Sequence, residues 1–374
     1  MTIHTVKAGE TLRSISAEYG ISPLKLAAAN GLMRESLIEG EELLILIPTR
    51  TANVRRGERL CDVARRFGVK ECSLMGMNPE LCGDGSVYDG QPLTVKQEPP
   101  LYGLGIGNGY LYRGASKEQL MRAMPYMSYL TVCSAIARRG GAVSIFDGND
   151  AVAAAREAGK LAILRLWVGG DERADEALFK SAAIMAEGGG YHGMALAGIA
   201  PHSELVDCAH SVCSELGLKL ILDADATCVG EKRLSCDFCN LIYDRIHLEP
   251  IPSFEDGEER TFRAYADKQN AARAFIDLSP FALTGGKYVT RTEAREAILR
   301  SGGRMRCEGD CLKAVGGRRG REREWVMESL GAVEKKLRLA SELGYYGISF
   351  DIARTPISEL LMFRAMFSEG ISMR

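Results

Sequence analysis

The side chains in this chain best suited to proton transfer are carboxylates that close short apolar runs. Asp223 and Asp225 end "LKLILDADA", Asp244 ends "CNLIYDRI" with Glu249 just beyond, and Asp351 ends "YYGISFDIA". A carboxyl group at a strand end can donate a proton or steady a developing cation, and two with separated pKa values can divide those tasks. The same groups serve equally well as helix caps or as acceptors for loop N–H groups. One run breaks the pattern: "GYHGMALAGI" (190–199) ends in Ala197 and Ile199, and the next acid, Glu204, falls in the helical stretch that follows. Trp167 closes "KLAILRLWVG" and offers a flat apolar face, while Tyr191 and Tyr243 sit beside two of the runs. Cys236 and Cys239 with Cys307 and Cys311 could supply zinc ligands, but "CEGDC" is an unusual spacing and the pairs lie far apart. His192 and His202 have no second ligand at metal spacing. No metal and no cofactor are expected.

Those residues need elements to position them. From residue 100 onward eight β-type runs alternate with helical stretches: "LYGLGIGNG", "MSYLTVCSAI", "KLAILRLWVG", "YHGMALAGI", "LKLILDADA", "CNLIYDRI", "RAFIDLSPF" and "YYGISFDIA". The helices carry their own signals. Ser116 and Gln119 have capping-box spacing, and Gly159 and Gly217 stand where helices stop. Eight such units over residues 100–374 predict an α/β fold, a (β/α)8 barrel of TIM type, whose chemistry sits at the C-terminal ends of the strands. An open doubly wound sheet is disfavoured, because no Gly-x-Gly-x-x-Gly turn leads from a first strand into a helix. The glycine-rich basic stretch "GGRRGRERE" (316–324) reads as a solvated insertion.

Ahead of this region the chain repeats itself, Val6 aligning with Val54 at an offset of 48 residues. "VKAGETLRSISAEYGI" lies over "VRRGERLCDVARRFGV", matching Gly9 to Gly57, Glu10 to Glu58, Leu12 to Leu60 and Asn30 to Asn78. Each unit reads as strand, helix, helix, strand, giving units 1–48 and 49–97 and a proline-bearing linker before 100. The Val-x-x-Gly-Glu-x-Leu opening, the asparagine after the second helix and the closing Gly-x-x-Leu resemble the LysM module, a small α+β fold. The resemblance implies a shallow groove for N-acetylglucosamine polymers, formed by Gly9, Glu10, Thr11 and Leu12 with Asn30, Gly31 and Leu32. The second unit departs more, with Arg59 and an insert at "CGDGS".

The later region resembles family 18 glycoside hydrolases. Their fourth strand reads Asp-Gly-x-x-x-Asp-x-Glu, and here Gly193 keeps the glycine while His192, Ala197 and Ile199 fill the acidic positions. "LWVGG" is similar to the third strand, with Trp167 for a serine; "LIYDRI" to the sixth, keeping Tyr243 and Asp244. "EWVMESLGAVEKKLRLASELGYYGISFDIAR" (324–354) is similar to the closing helix and eighth strand, with Asp351 for a tryptophan. The resemblance implies an acid at 199 and an acetamido-stabilising partner at 197. A sec-butyl and a methyl group can do neither, so a non-catalytic barrel is expected, with Trp167, Tyr191, Asp223, Asp225, Tyr243, Asp244 and Asp351 as the cleft. Two alternatives stay open: a weak glycosidase using relocated acids, and a structural coat protein.

The balance of 47 basic and 49 acidic residues, net −2, gives no pull toward nucleic acid or an anionic membrane. No apolar run reaches the roughly 18 residues of a membrane span. Eleven cysteines and no visible secretory leader predict synthesis in a reducing compartment. LysM units ahead of such a barrel resemble the spore-cortex and germination glycosidases of endospore formers. That implies a place in spore coat or cortex, an N-acetylglucosamine polymer such as peptidoglycan or chitin as partner, and coat proteins as neighbours.

Overall fold

The sequence repeat folds as two βααβ units. In the computed structural model, which describes residues 1–81, 85–98, 101–138, 142–145, 149–169, 174–243, 255–317 and 322–369, β1 (Thr2–Thr5) pairs antiparallel with β2 (Glu42–Ile45). Between them run α1 (Leu12–Tyr19) and α2 (Pro23–Ala29). Thr11 starts α1 by accepting the Ser14 N–H, and Gly20 stops it at φ +65°, a left-handed conformation that suits glycine. The second unit repeats the order with β3 (Arg50–Asn53), α3 (Leu60–Phe67), α4 (Glu71–Met77) and β4 (Pro92–Lys96). Each has its own small core, Leu12, Ile15, Leu26 and Leu43 in the first and Leu60, Val63, Leu74 and Leu93 in the second. Lys25 ties the two together, donating to Asn78 Oδ1 at 3.2 Å and Thr94 Oγ1 at 2.7 Å.

All eight apolar runs after residue 100 become parallel strands. They are β5 (Tyr102–Leu111), β6 (Tyr129–Ala137), β8 (Leu161–Trp167), β9 (Gly193–Ala197), β10 (Lys219–Asp225), β11 (Phe238–Ile242), β12 (Ala274–Leu278) and β18 (Gly347–Asp351). β18 pairs with β5 and β5 with β6, so among the described residues eight parallel strands close into a barrel. β7 (Val143–Ile145) folds back antiparallel on β6, and β19 (Phe367–Glu369) runs beside β5. Helices α5 (Lys117–Ala123), α6 (Asn149–Glu157), α7 (Glu176–Gly188), α8 (Glu204–Glu215) and α9 (Arg260–Lys268) lie outside, with α11 (Leu330–Glu342) and α12 (Ile357–Met366).

Side-chain alternation along the strands builds the barrel interior in layers. The lower layer is apolar: Ile106, Tyr129, Ile163, Ala195, Ile221 and Phe275 pack together with Phe238. Residues of opposite parity, such as Leu164, Leu196, Leu222 and Leu241, join the larger cluster under the helices.

Between β12 and α11 the structure adds an element the sequence did not announce. β13 (Phe281–Thr284), β14 (Lys287–Thr290), β15 (Arg304–Glu308), β16 (Cys311–Gly316) and β17 (Arg323–Glu328) form an antiparallel sheet covered by α10 (Arg291–Arg300). This corrects the reading of 324–354 as one closing helix and strand. Arg323–Glu328 is β17, the central strand of that sheet, with Trp325, Val326 and Met327 buried, and the helix begins only after Ser329, which caps it. Within "GGRRGRERE", the ends belong to β16 and β17, and 318–321 lie outside the described residues.

The first βααβ unit is docked on this inserted sheet. Ile38 is buried in the sheet's core with Met305 and Leu312. The Met305 N–H donates to Glu39 O at 2.8 Å, and Arg295 pairs with Glu41 while donating to Ser36 O. The second unit rests on the barrel through α4, where Tyr126 Oη donates to Gly76 O and Arg364 to Ser73 O. α12 is buried on nearly every side because barrel, first unit and second unit all pack on it.

Candidate functional site at the barrel mouth

Above the apolar layer the inward positions turn polar. Thr131 Oγ1 donates to Asn108 Oδ1 at 2.7 Å. Arg165 Nε donates to Asp223 Oδ2 at 2.7 Å, and Tyr110 Oη to Asp223 Oδ1 at 2.5 Å. Asn240 Nδ2 reaches the same oxygen at 3.4 Å, and Ser349 Oγ links Asn240 Oδ1 to Asp277 Oδ1. The guanidinium of Arg165 lies 5.9, 5.8 and 5.6 Å from the rings of Tyr110, Tyr112 and Trp167. A cation thus fills the centre of the barrel, neutralised by Asp223 and cushioned by three rings. Beside it a pocket of about 230 Å³ remains, with Tyr112, Asp277, Phe281, Asp351 and Arg354 in its wall. Burial pushes the Asp277 carboxyl up to about 7, with the Ser349 hydroxyl partly offsetting it. Burial likewise raises the Cys133 thiol, to about 12, and the Tyr110 phenol beside Asp223.

The fourth-strand positions contribute no polar group. Ala197 is 1% exposed and stands in register with Trp167. Leu196 is opposite Leu222, so the next residues along, Ala197 and Asp223, are neighbours, and the carboxylate of this layer sits one strand over. Gly198 follows at φ +74°, turning the chain so that Ile199 packs into the cluster under the helices. The position aligned with the family acid is thus filled by a buried apolar side chain.

Other predicted residues divide. Trp167, 45% exposed, and Asp351, which accepts the Ala353 and Arg354 N–H groups and pairs with the Arg354 side chain at 2.9 Å, are at the mouth. Asp225 is at the rim, its Oδ1 taking the Thr227 N–H and hydroxyl in a local turn. Two tyrosines do not belong. Tyr191 precedes β9, hence lies at the opposite end of a parallel barrel, buried against α7's end with its N–H on Ala186 O. Tyr243 has the parity of Leu241, not of Asn240, and packs edge-on against Phe262 of α9 at 6.1 Å. Asp244 and Glu249 lie outside the described residues. His192 also precedes β9, accepting the Ala162 N–H, and His202 Nε2 accepts the Gly230 N–H. Asp277 is the residue the sequence reading passed over. Its signal was present: it falls in "RAFIDLSPF" with the inward parity that Phe275 sets.

The groove residues of the first βααβ unit are mostly engaged in holding it together. Glu10 accepts the Lys7 N–H and bonds His4 Nε2 at 2.9 Å, which hold its carboxyl below the usual range. Thr11 is a helix cap, Gly9 a turn at φ +80°, and Leu12 core. Asn30 spends its amide on Leu26 O, Leu44 O and the Leu44 N–H. Gly31 faces Ile357 of α12, where an added Cβ would lie 3.4 Å from that side chain, and Leu32 leans on the unit's core. One side of the implied groove therefore faces the barrel. Among the described residues no group of three His, Cys, Asp or Glu could hold a metal, so the four cysteines are not gathered.

Comparison with known proteins identifies the first unit as a LysM domain, the family model matching residues 4–45. N-acetylmuramoyl-L-alanine amidase sle1 of Staphylococcus epidermidis is 33% identical over 106 residues, 25% of this chain and 31% of that protein. An autolysin of Enterococcus faecalis is 29% identical over 116 residues, 26% of this chain and 16% of the relative. The chain thus spans about a third or less of the curated relatives it matches. Over its whole length it is similar in structure to the spore cortex-lytic enzyme SleL of Bacillus megaterium, with TM-score 0.72 and 14% identity, covering 98% of both chains. The barrel is similar to a chitinase from Chromobacterium violaceum, TM-score 0.57 and 14% identity, covering 70% of this chain and 98% of that one. At such identities the likeness is one of fold. A LysM domain joined to a barrel of this shape fits carbohydrate binding. No described helix is long and apolar enough to cross a membrane.

Proposed function

We propose that this protein binds N-acetylglucosamine-containing glycan, peptidoglycan or a chitin-like polymer, without cleaving it. The observation that carries the reading is the polar layer of the mouth, where Ala197 stands on the fourth strand and the neighbouring Asp223 is neutralised by Arg165. Substrate-assisted glycoside cleavage needs a proton donor at the leaving oxygen and a carboxylate beside the acetamido group. General acid help alone is worth roughly 10²–10⁴ in rate. A methyl group at 197, and a carboxylate already holding a guanidinium, supply neither. The LysM domain, with the second βααβ unit as its partner, supports attachment to the polymer. The likeness to a spore cortex-lytic enzyme supports a place in spore cortex or coat, with coat proteins as neighbours.

The test has two arms. The full chain should be pulled down by peptidoglycan and chitin but not by cellulose, which lacks the acetamido group. It should release no reducing ends from cortex peptidoglycan. Equal capture on all three polymers would point to nonspecific adhesion or a purely structural protein.

Asp277 favours a second reading. A carboxyl group on the pocket wall whose pKa burial raises to about 7 can hold a proton near neutral pH and give it up, as general acid catalysis requires. If the protein hydrolyses glycan after all, Asp277→Asn should abolish that activity and Asp225→Asn should leave it.

A further inference from the structure

A cavity of about 490 Å³ lies where the LysM domain, the inserted sheet and the barrel meet. Gly31 and Met33 of the LysM domain form one wall, Gln119 and Arg122 of α5 a second, and Thr292 and Glu293 in the first turn of α10 a third. The volume is within the usual range for small-ligand clefts, about 300–1,000 Å³. We infer that this cavity is a second carbohydrate subsite, taking sugar units of an N-acetylglucosamine strand bound by the LysM domain. The inference rests on the glycan-binding reading above.

The wall chemistry selects the ligand class. Its deeper charges are matched internally, Arg295 with Glu41 and Arg291 with Glu328 and Glu359, and the exposed Arg354 pairs with Asp351. An anion would have to break such pairs, whereas a neutral polyhydroxylated ligand can use them as donors and acceptors. Among the described residues two polar atoms of side chains in that wall, Arg291 Nε and Glu359 Oε2, are buried without a hydrogen-bond partner, and each such atom costs about 1–3 kcal/mol. They belong to side chains already bonded to each other and have no surface of their own in the cavity, so the exposed Thr292 and Arg122 are the wall groups that can meet ligand hydroxyls. Met33, 83% exposed at the rim, offers apolar surface for the face of a sugar ring. Continuity completes the case. The loop that follows α2 lines the cavity through Asn30, Gly31 and Met33, so a strand lying on that loop runs into the barrel rather than into solvent.

The full chain, carrying isotope-labelled methionine methyl groups, is titrated with a short and a long N-acetylglucosamine oligomer. Met305 and Met327 line the cavity but lie on the inserted sheet, so their methyl signals report the cavity and not the LysM groove. Both should shift with the long oligomer. Thr292→Trp and, separately, Arg122→Ala alter exposed wall residues and should weaken the long oligomer about tenfold, roughly 1.4 kcal/mol, with unchanged melting temperature. Binding by the wild type with no shift at Met305 or Met327, and no loss in either variant, overturns the subsite while leaving glycan binding intact. No binding of any oligomer overturns both.

Discussion

Arg165 sets the electrostatics of the barrel mouth, because its guanidinium lies among the polar layer and the rings of Tyr110, Tyr112 and Trp167. Its guanidinium is paired with Asp223, 8% exposed. Arg165→Ala should therefore strand a buried carboxylate and cost about 3–5 kcal/mol in denaturant unfolding. Arg165→Ala combined with Asp223→Asn should recover much of that. Asp277 gives a pH signature. Its carboxyl is raised from 3.8 to about 7, so the folded chain holds a proton that the unfolded chain releases. Stability contributed in this way is fully present below about pH 4 and is lost as pH climbs toward 7. Glu359, raised to about 7 by burial against the pull of Arg291, acts with the same sign. Asp277→Asn should thus flatten the decline in melting temperature between about pH 4 and 7 in part, and adding Glu359→Gln should flatten it further. An unchanged slope in both variants would show that neither carboxyl carries a raised pKa. At this scale the sequence was half legible. Asp223, Asp351 and Trp167 were found by their place at strand ends, but Tyr191 and Tyr243 were misplaced because a motif match ignores which face of a strand a residue takes.

Elements were read more reliably than side chains. All eight barrel strands appear where apolar runs had been marked, since a strand buried on both faces is a continuous apolar run with little else to imitate it. The inserted sheet escaped for the opposite reason: its edge strands β14 and β15 are short and bury almost nothing. β15 reads "RMRCE" and buries one residue of five, so nothing in its composition separates it from a loop. The βααβ units were legible through their repeat, yet the role of the shared asparagine was not. The resemblance places Asn30 in the groove, and in the structure Asn30, like Asn78 at the matching position, bonds two carbonyls and one N–H of its own unit. Asn78→Ala leaves three backbone groups without partners, in a residue that is 0% exposed. The expected loss is at least about 2 kcal/mol, read as earlier unfolding of the second unit by hydrogen exchange in α4 and β4. Asn30, partly exposed, should cost less when changed in the same way. Equal, small effects would return both asparagines to the surface of the groove.

At the scale of the whole molecule, the three parts are joined by contacts that no sequence pattern marks. Gly40 shows how close that join is. It sits at φ +82°, and a Cβ there would lie 1.9 Å from Met305 O of the inserted sheet. Gly9, at φ +80°, carries similar backbone strain but has nothing within 4 Å of the same position. The pair separates two effects that usually arrive together. Gly9→Ala should cost only the strain of a left-handed alanine, about 1 kcal/mol. Gly40→Ala adds a clash between two backbones, neither of which can move without breaking the Met305–Glu39 hydrogen bond or the Arg295–Glu41 pair. The expected outcome is separation of the LysM domain from the insertion: a lower first unfolding transition, faster proteolysis in the segment 32–41, and a barrel that melts as before. The junction cavity would open with it, so the Gly40→Ala chain should keep its affinity for a short N-acetylglucosamine oligomer and lose the advantage of a long one. If Gly9→Ala and Gly40→Ala destabilise equally and bind both oligomers alike, the contact is incidental, and the LysM domain works as a tethered module rather than as one wall of a shared site.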